Sequence, residues 1–163
     1  MNMKQILIFG LFLVPLCTSR CYNDQELSLV AKRKLSRHYP QPPEPPAETA
    51  GPKPSCPVEH YSPSQELRNR SLSPWRLVRV TNEDYFPSSY AEAQCLCSGC
   101  ILIQGTNHQV VESNDYNSKE IKQNRVFLKK ERCRGGKTYK LTRVSVEVAV
   151  GCTCARPSTS TST

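Results

Sequence analysis

Three cysteines fall within six residues in the run QCLCSGC (94–100), at positions 95, 97 and 100, and a further pair, Cys152 and Cys154, stands in GCTC near the C-terminus. Sulfur at such spacing supports three chemistries: metal ligation by thiolates, thiol–disulfide exchange, or structural disulfides. Structural zinc sites draw four ligands from two well-spaced pairs. Cys97 and Cys100 have the Cys-x-x-Cys spacing, but Cys152 and Cys154 stand one residue apart. A redox Cys-x-x-Cys normally opens a helix in a βαβ frame, and no such pattern surrounds 97–100. Structural disulfides are the chemistry these residue types best fit.

The compartment decides whether thiols pair. The chain opens MNMKQILIFGLFLVPLCTSR, with Lys4, an apolar run from Ile6 to Leu16, and small residues ending at Ser19. This layout predicts a secretory signal peptide over 1–19. The run is too short to span the roughly 30 Å of a bilayer's hydrocarbon. After cleavage the chain keeps eight cysteines, at 21, 56, 95, 97, 100, 133, 152 and 154. In an oxidising compartment these pair, and an even number suits full pairing. Eight cysteines allow over a hundred connectivities, so the count fixes none of them.

The elements that must position the cysteines read as strands. In TYKLTRVSVEVAVGCTC (138–154), Val144, Val146, Val148 and Val150 alternate with Arg143, Ser145 and Glu147. Such period-2 alternation places the valines on one face of a strand. The same parity carries Cys152 and Cys154 onto that face if no bulge intervenes. RLVRV (76–80) and NRVFLKK (124–130) read as further strands, and ERCRGGKTY supplies Gly135 and Gly136 for the turn of a long hairpin. SYAEAQ (89–94) fits a strand or a short helical turn, and QGTNHQVVESNDYNSK reads as polar loop. Two cysteines on one strand face can bridge to two on a neighbouring segment and close a small ring, with Gly99 easing the backbone where it crowds. An all-β cystine-knot fold of elongated antiparallel strand pairs follows.

Composition sets the domain limits. Residues 20–55 are basic and then proline-rich, with AKRKLSRHY at 31–39 and eight prolines within 40–57. Proline fixes its own φ and disfavours helix before it, so this segment is expected to be extended. AKRKLSR lacks the full paired-basic pattern of a processing site. Residues 56–157 form the folded domain, and 158–163 a low-complexity tail. About 100 residues bury a modest core that disulfides supplement.

Five runs carry a further signal: NRSLSPWRL (69–77), NEDYFP (82–87), EAQCLCSGC (92–100), NRVFLKKERC (124–133) and VGCTCARP (150–157). Together they resemble the interleukin-17 cytokine family over essentially all of 56–157. CYNDQEL (21–27), CPV (56–58) and the middle cysteine of CLCSGC are similar to the C-type branch. The resemblance implies the bridges Cys95–Cys152 and Cys100–Cys154. It also implies serines in place of the third knot bridge, with Ser118 at one position and Ser73 or Ser71 at the other. By likeness to the A and F types, Cys56 is expected to bridge Cys133 of a partner chain. Cys21 and Cys97 have no counterpart in that scheme; they bridge each other, or Cys21 links chains. The function implied is that of a secreted pro-inflammatory cytokine, a homodimer that brings interleukin-17 receptor chains together, an E-type with an A-type for a C-type ligand. Trp75, Arg76 and Tyr85 are candidate receptor contacts, each weighed against a plain packing role. The alternatives are a cystine-knot growth factor or antagonist of another family, and a cationic host-defence protein. The last requires an amphipathic basic helix, which the pattern does not reveal.

Asn69 opens the sequence Asn-Arg-Ser, an N-glycosylation signal in a secreted chain. The folded domain carries fifteen Lys and Arg against ten Asp and Glu, densest in KKERCR (129–134). That run is a solvated hairpin face or, more sharply, an electrostatic guide to an acidic receptor surface or sulfated glycans. Neither nucleic acid nor membrane insertion is indicated. The histidines, at 38, 60 and 108, lie in no nucleophile, metal or carboxylate arrangement. No catalytic residue, metal or cofactor is expected.

Overall fold

The computed structural model describes residues 20–59, 61 and 64–158. The expected leader, His60 and all but the first residue of the expected tail lie outside them. Along the chain run α1 (Asp24–His38), β1 (Glu48–Thr49), α2 (Leu67–Arg70), β2 (Trp75–Thr81), β3 (Tyr85–Phe86), β4 (Ser89–Cys95), β5 (Cys100–Gln104), β6 (Gln109–Ser113), β7 (Asn117–Arg132) and β8 (Tyr139–Ala155).

The longest alternating run builds the longest hairpin. β7 and β8 pair antiparallel from Asn117↔Ala155 to Arg132↔Tyr139. Gly135 and Gly136 close the turn with φ of 109° and 78°, values that favour residues without a Cβ. β3 extends this sheet along β7. β2 and β4 form a second hairpin from Trp75↔Cys95 to Thr81↔Ser89, so the SYAEAQ segment is strand. β5 and β6 form a third, turning through Gly105 and His108, both at positive φ. The segment read as polar loop therefore contains β6, whose five residues draw on β5 for pairing.

The alternation in β8 does not run through unbroken. Ile121 faces Gly151 while Lys122 faces Ala149, which leaves Val150 as the extra residue of a bulge. Up to the bulge, Val144, Val146 and Val148 oppose odd-numbered residues of β7; beyond it, Cys152 and Cys154 oppose Glu120 and Ser118. A bulge re-aims the side chains that follow it. The cysteines are thus turned relative to the valines, and Val150 is exposed rather than inward.

Phe127, Leu128, Val148, Ala149, Ala91 and Ala93 are buried between the β7–β8 and β2–β4 hairpins and the elements laid over them. The rings of Tyr85 and Tyr90 approach Phe127 at 5.8 and 5.0 Å between centroids.

The N-terminal segment departs most from expectation. It is not extended throughout: 24–38 is helix. Asn23 caps it by accepting from the Glu26 backbone N–H at 2.8 Å, with acidic residues in the first turn and Arg37 and His38 in the last. Leu27 and Ala31, four residues apart, share one face and are fully buried. Tyr22 and Tyr139 exchange two backbone hydrogen bonds of 2.8 Å, and Lys130 pairs with Asp24. The Asp24 hydrogen bond raises the Lys130 pKa above the usual lysine value. A raised folded-state pKa favours folding at all pH below the lysine range and ceases to do so as pH climbs through the folded value. On the lysine side, this contact is therefore lost as pH rises into the alkaline range.

The proline-rich stretch then crosses the domain as a strap. Gln41 donates to the Val126 carbonyl at 3.3 Å. The Glu44 carboxylate pairs with Arg125 and accepts from the Ala91 N–H at 2.8 Å. Glu48 and Thr49 pair in parallel with Val78 and Arg79. Proline suits such an edge, because it needs no partner for a missing N–H.

Candidate functional site

Cys95 ends β4 and Cys100 begins β5, so two hairpins deliver their cysteines to the end of β8. Cys95 bonds Cys152 and Cys100 bonds Cys154, with Cα separations of 5.8 and 6.1 Å. The two bridges and the segments 95–100 and 152–154 close a ring. Cys100 and Cys152 are buried. Backbone bonds brace it: Leu96 N–H donates to the Pro74 carbonyl at 2.9 Å, Ile101 N–H to Leu72 at 2.7 Å and Ser118 N–H to Ser98 at 2.9 Å.

Ser73 and Ser118 meet beside the ring through a hydroxyl–hydroxyl hydrogen bond. Ser73 is completely buried, whereas Ser71 accepts from the Ser73 backbone N–H at 3.1 Å. Ser73, not Ser71, therefore stands opposite Ser118.

Gly99 is required by crowding from β6. A Cβ there would lie 2.3 Å from the Ser113 carbonyl oxygen, a distance no real contact tolerates. The N–H groups of Ser98 and Gly99 both donate to one Glu112 carboxylate oxygen, at 2.9 and 2.8 Å.

The outer cysteines correct the sequence reading. Cys133 bonds Cys21, and Cys56 bonds Cys97, all within one chain. Cys56 and Cys133 thus do not form the interchain bridge expected of them, nor do Cys21 and Cys97 bridge each other. The physical reason is the strap. Together with α1 it runs from the hairpin turn to the ring, so the two ends of 21–56 meet the two cysteines that lie there, at Cα separations of 6.5 and 4.5 Å. Glu112 lies within 4.8 Å of the Cys56 and Cys97 sulfurs. Those sulfurs are bonded to each other and supply no thiolate to a metal.

Two of the three candidate contact residues brace the fold. Arg76 donates to the Gln94 side chain and the Gly51 carbonyl, both at 2.8 Å, and lies 3.8 Å from Glu48. It holds the strap. Tyr85 packs its ring toward Phe127, and its N–H donates to the Asn82 carbonyl at 3.1 Å in a loop whose Asp84 carbonyl accepts from Lys130. Trp75 remains half-exposed. Its ring covers Gly151, where an added Cβ would come within 3.4 Å of it. Trp75, Leu67 and Val150 line a groove of about 410 Å³ with Pro45 and Pro46. Ile121 is the register partner of Gly151, the glycine that the Trp75 ring covers. Leu67, Ile121 and Val150 are 65%, 45% and 38% exposed, so this is an apolar patch open to solvent.

Asn69 is exposed on α2. An Asn69→Gln variant is expected to lose one glycan-sized step in mass and keep its thermal midpoint. Wild-type protein whose mobility is unaffected by enzymatic deglycosylation would show the position unoccupied.

The family model for interleukin-17 matches residues 71–156, which contain both ring disulfides and the Ser73–Ser118 pair. The chain belongs to the interleukin-17 family. Rat interleukin-17F is 38% identical over 93 residues, 57% of this chain and 53% of its own. Mouse interleukin-17C is 31% identical over 86% of this chain and 84% of its own, and human interleukin-17C 31% over 80% and 66%. The chain thus spans about half the length of the interleukin-17F relatives it matches and most of the mouse interleukin-17C. The C-type alignments reach beyond the residues of the interleukin-17 model, in keeping with the C-type signals in the sequence. The cystine-knot cytokine fold is that of the interleukin-17 family, and Cys21 and Cys56 lie N-terminal to the matched segment. No helix among the described residues is long and apolar enough to cross a membrane.

Proposed function

We propose that the protein is a secreted pro-inflammatory cytokine, a homodimer that draws an E-type and an A-type interleukin-17 receptor chain together. The observation that carries this reading is the interleukin-17 match across both ring disulfides. The leader and the four disulfides fit export. The apolar patch of Leu67, Trp75, Ile121 and Val150 fits burial by a second copy, since open apolar patches of this kind mark interaction sites, and two-fold dimers are the commonest oligomers. Because every cysteine from 21 onward is bonded within its chain, the dimer is held by packing alone.

Light scattering on the purified protein is expected to give twice the chain mass, and a non-reducing denaturing gel one chain mass. Leu67→Asp is expected to yield monomers and to abolish signalling in cells bearing both receptor types. A monomer that signals fully, or signalling in cells lacking both receptors, would overturn the reading.

A further inference from the structure

The positive charge of this chain is gathered at one end. Residues 20–39 and 129–143 hold twelve of the 22 Lys and Arg and three of the 14 Asp and Glu. The remainder carries ten of the former against eleven of the latter. The whole excess of +8 therefore resides in two segments far apart in sequence.

The fold brings these segments together and fixes them. Cys21–Cys133 joins them covalently, and the Tyr22–Tyr139 backbone pair and the Lys130–Asp24 contact align them. Two of the three acids are engaged internally, Asp24 by Lys130 and Glu131 by Lys140 at 3.3 Å. Among the described residues, no ion pair involves Lys32, Arg33, Arg37, Arg132, Arg134 or Lys137, all of them exposed. Arg20, Arg33 and Lys34 also line a shallow groove of about 430 Å³ beside α1. Cations without an internal partner are not competed for by neighbouring carboxylates, and the fixed backbone holds them at one end of the molecule.

We infer that α1 and the β7–β8 turn form one docking surface for a sulfated glycosaminoglycan. Its partner must be an extended polyanion, because the charges cover a helix and a turn rather than converge on one point. Of polyanions, the sulfated glycans are the class met outside the cell, where four disulfides place this chain. Binding would release counterions from the glycan, giving a salt dependence that counts the cations engaged.

The test uses the full mature protein on immobilised heparin across a salt series. Two double variants remove charge from the surface: Arg33→Ala with Arg37→Ala on α1, and Arg132→Ala with Arg134→Ala at the turn. A third, Lys119→Ala with Lys122→Ala, removes the same charge from the other end of β7. Each surface variant is expected to lower the slope of log affinity against log salt by about two, one per cation removed, while the third leaves it within error of wild type. Equal losses in all three would reduce the effect to net charge and overturn the surface. So would retention of wild-type protein on phosphatidylserine vesicles but not on heparin, which would assign the surface to membranes. No heparin binding at physiological salt would overturn it outright.

Discussion

Replacing Cys152 with serine is expected to abolish the accumulation of folded protein in the medium of a secreting host. The Cys95–Cys152 bridge spans 57 residues of sequence, and the Cys100–Cys154 bridge 54. By loop-closure entropy, each long bridge restricts the unfolded chain by about 4 kcal/mol. Small domains have total stabilities of about 5–15 kcal/mol, so one bridge is a large fraction of the whole. Cys152 is 4% exposed, so the variant also buries a hydroxyl where a sulfur packed, and a Cys95 thiol is left free to mispair. Cys154→Ser is expected to behave alike. Efficient secretion of a native, active Cys152→Ser protein would show that the ring does not hold the fold.

The second large effect is expected from Phe127→Ala. Phe127 is 1% exposed and sits among Tyr85, Tyr90 and the guanidinium of Arg125, which lies 5.7 Å from its ring centroid. Deleting a buried phenylalanine typically costs about 3–5 kcal/mol in lost transfer energy and residual cavity. Here the walls cannot collapse freely, because Arg125 is held by Glu44 of the strap and Tyr85 by its own loop. All four disulfides are expected to form, with the thermal midpoint lowered on the order of 15 °C. A shift of only a degree or two would mean that the disulfides, not this aromatic cluster, carry the middle of the molecule.

The sequence disclosed those parts of the fold where local pattern and tertiary environment agree. Val144, Val146 and Val148 alternate because one face of β8 is covered, and Gly135 with Gly136 marks a turn that needs positive φ. The α1 helix was hidden because only Leu27 and Ala31 are buried on it, while Leu29 faces solvent at 68% exposure. Its apolar stripe is too thin to stand out in a basic run. β6 was hidden for a related reason: it is a short, polar strand ordered by its partner. The bulge at Val150 leaves no mark, since valine suits either side of it. Connectivity was least legible. The ring pairs followed from family resemblance, but the outer two depend on the path of residues 40–55 over the domain, which prolines leave open. Trp75 and Arg76 are adjacent in sequence, yet one faces the open groove and the other secures the strap.

The segment made of α1 and the strap has ends bonded at Cys21 and Cys56, so with the body of the domain it forms a closed covalent loop. A protease that severs one peptide bond inside that loop, for instance after Arg33 or Arg37 on the exposed side of α1, detaches nothing. The fragment ending at the cut stays joined through the Cys21–Cys133 bridge, and the residues after the cut remain part of the main chain. Shedding any piece of the strap takes two cuts, or one cut and the reduction of a disulfide. Under protease attack such a molecule gathers nicks while remaining one covalently joined particle.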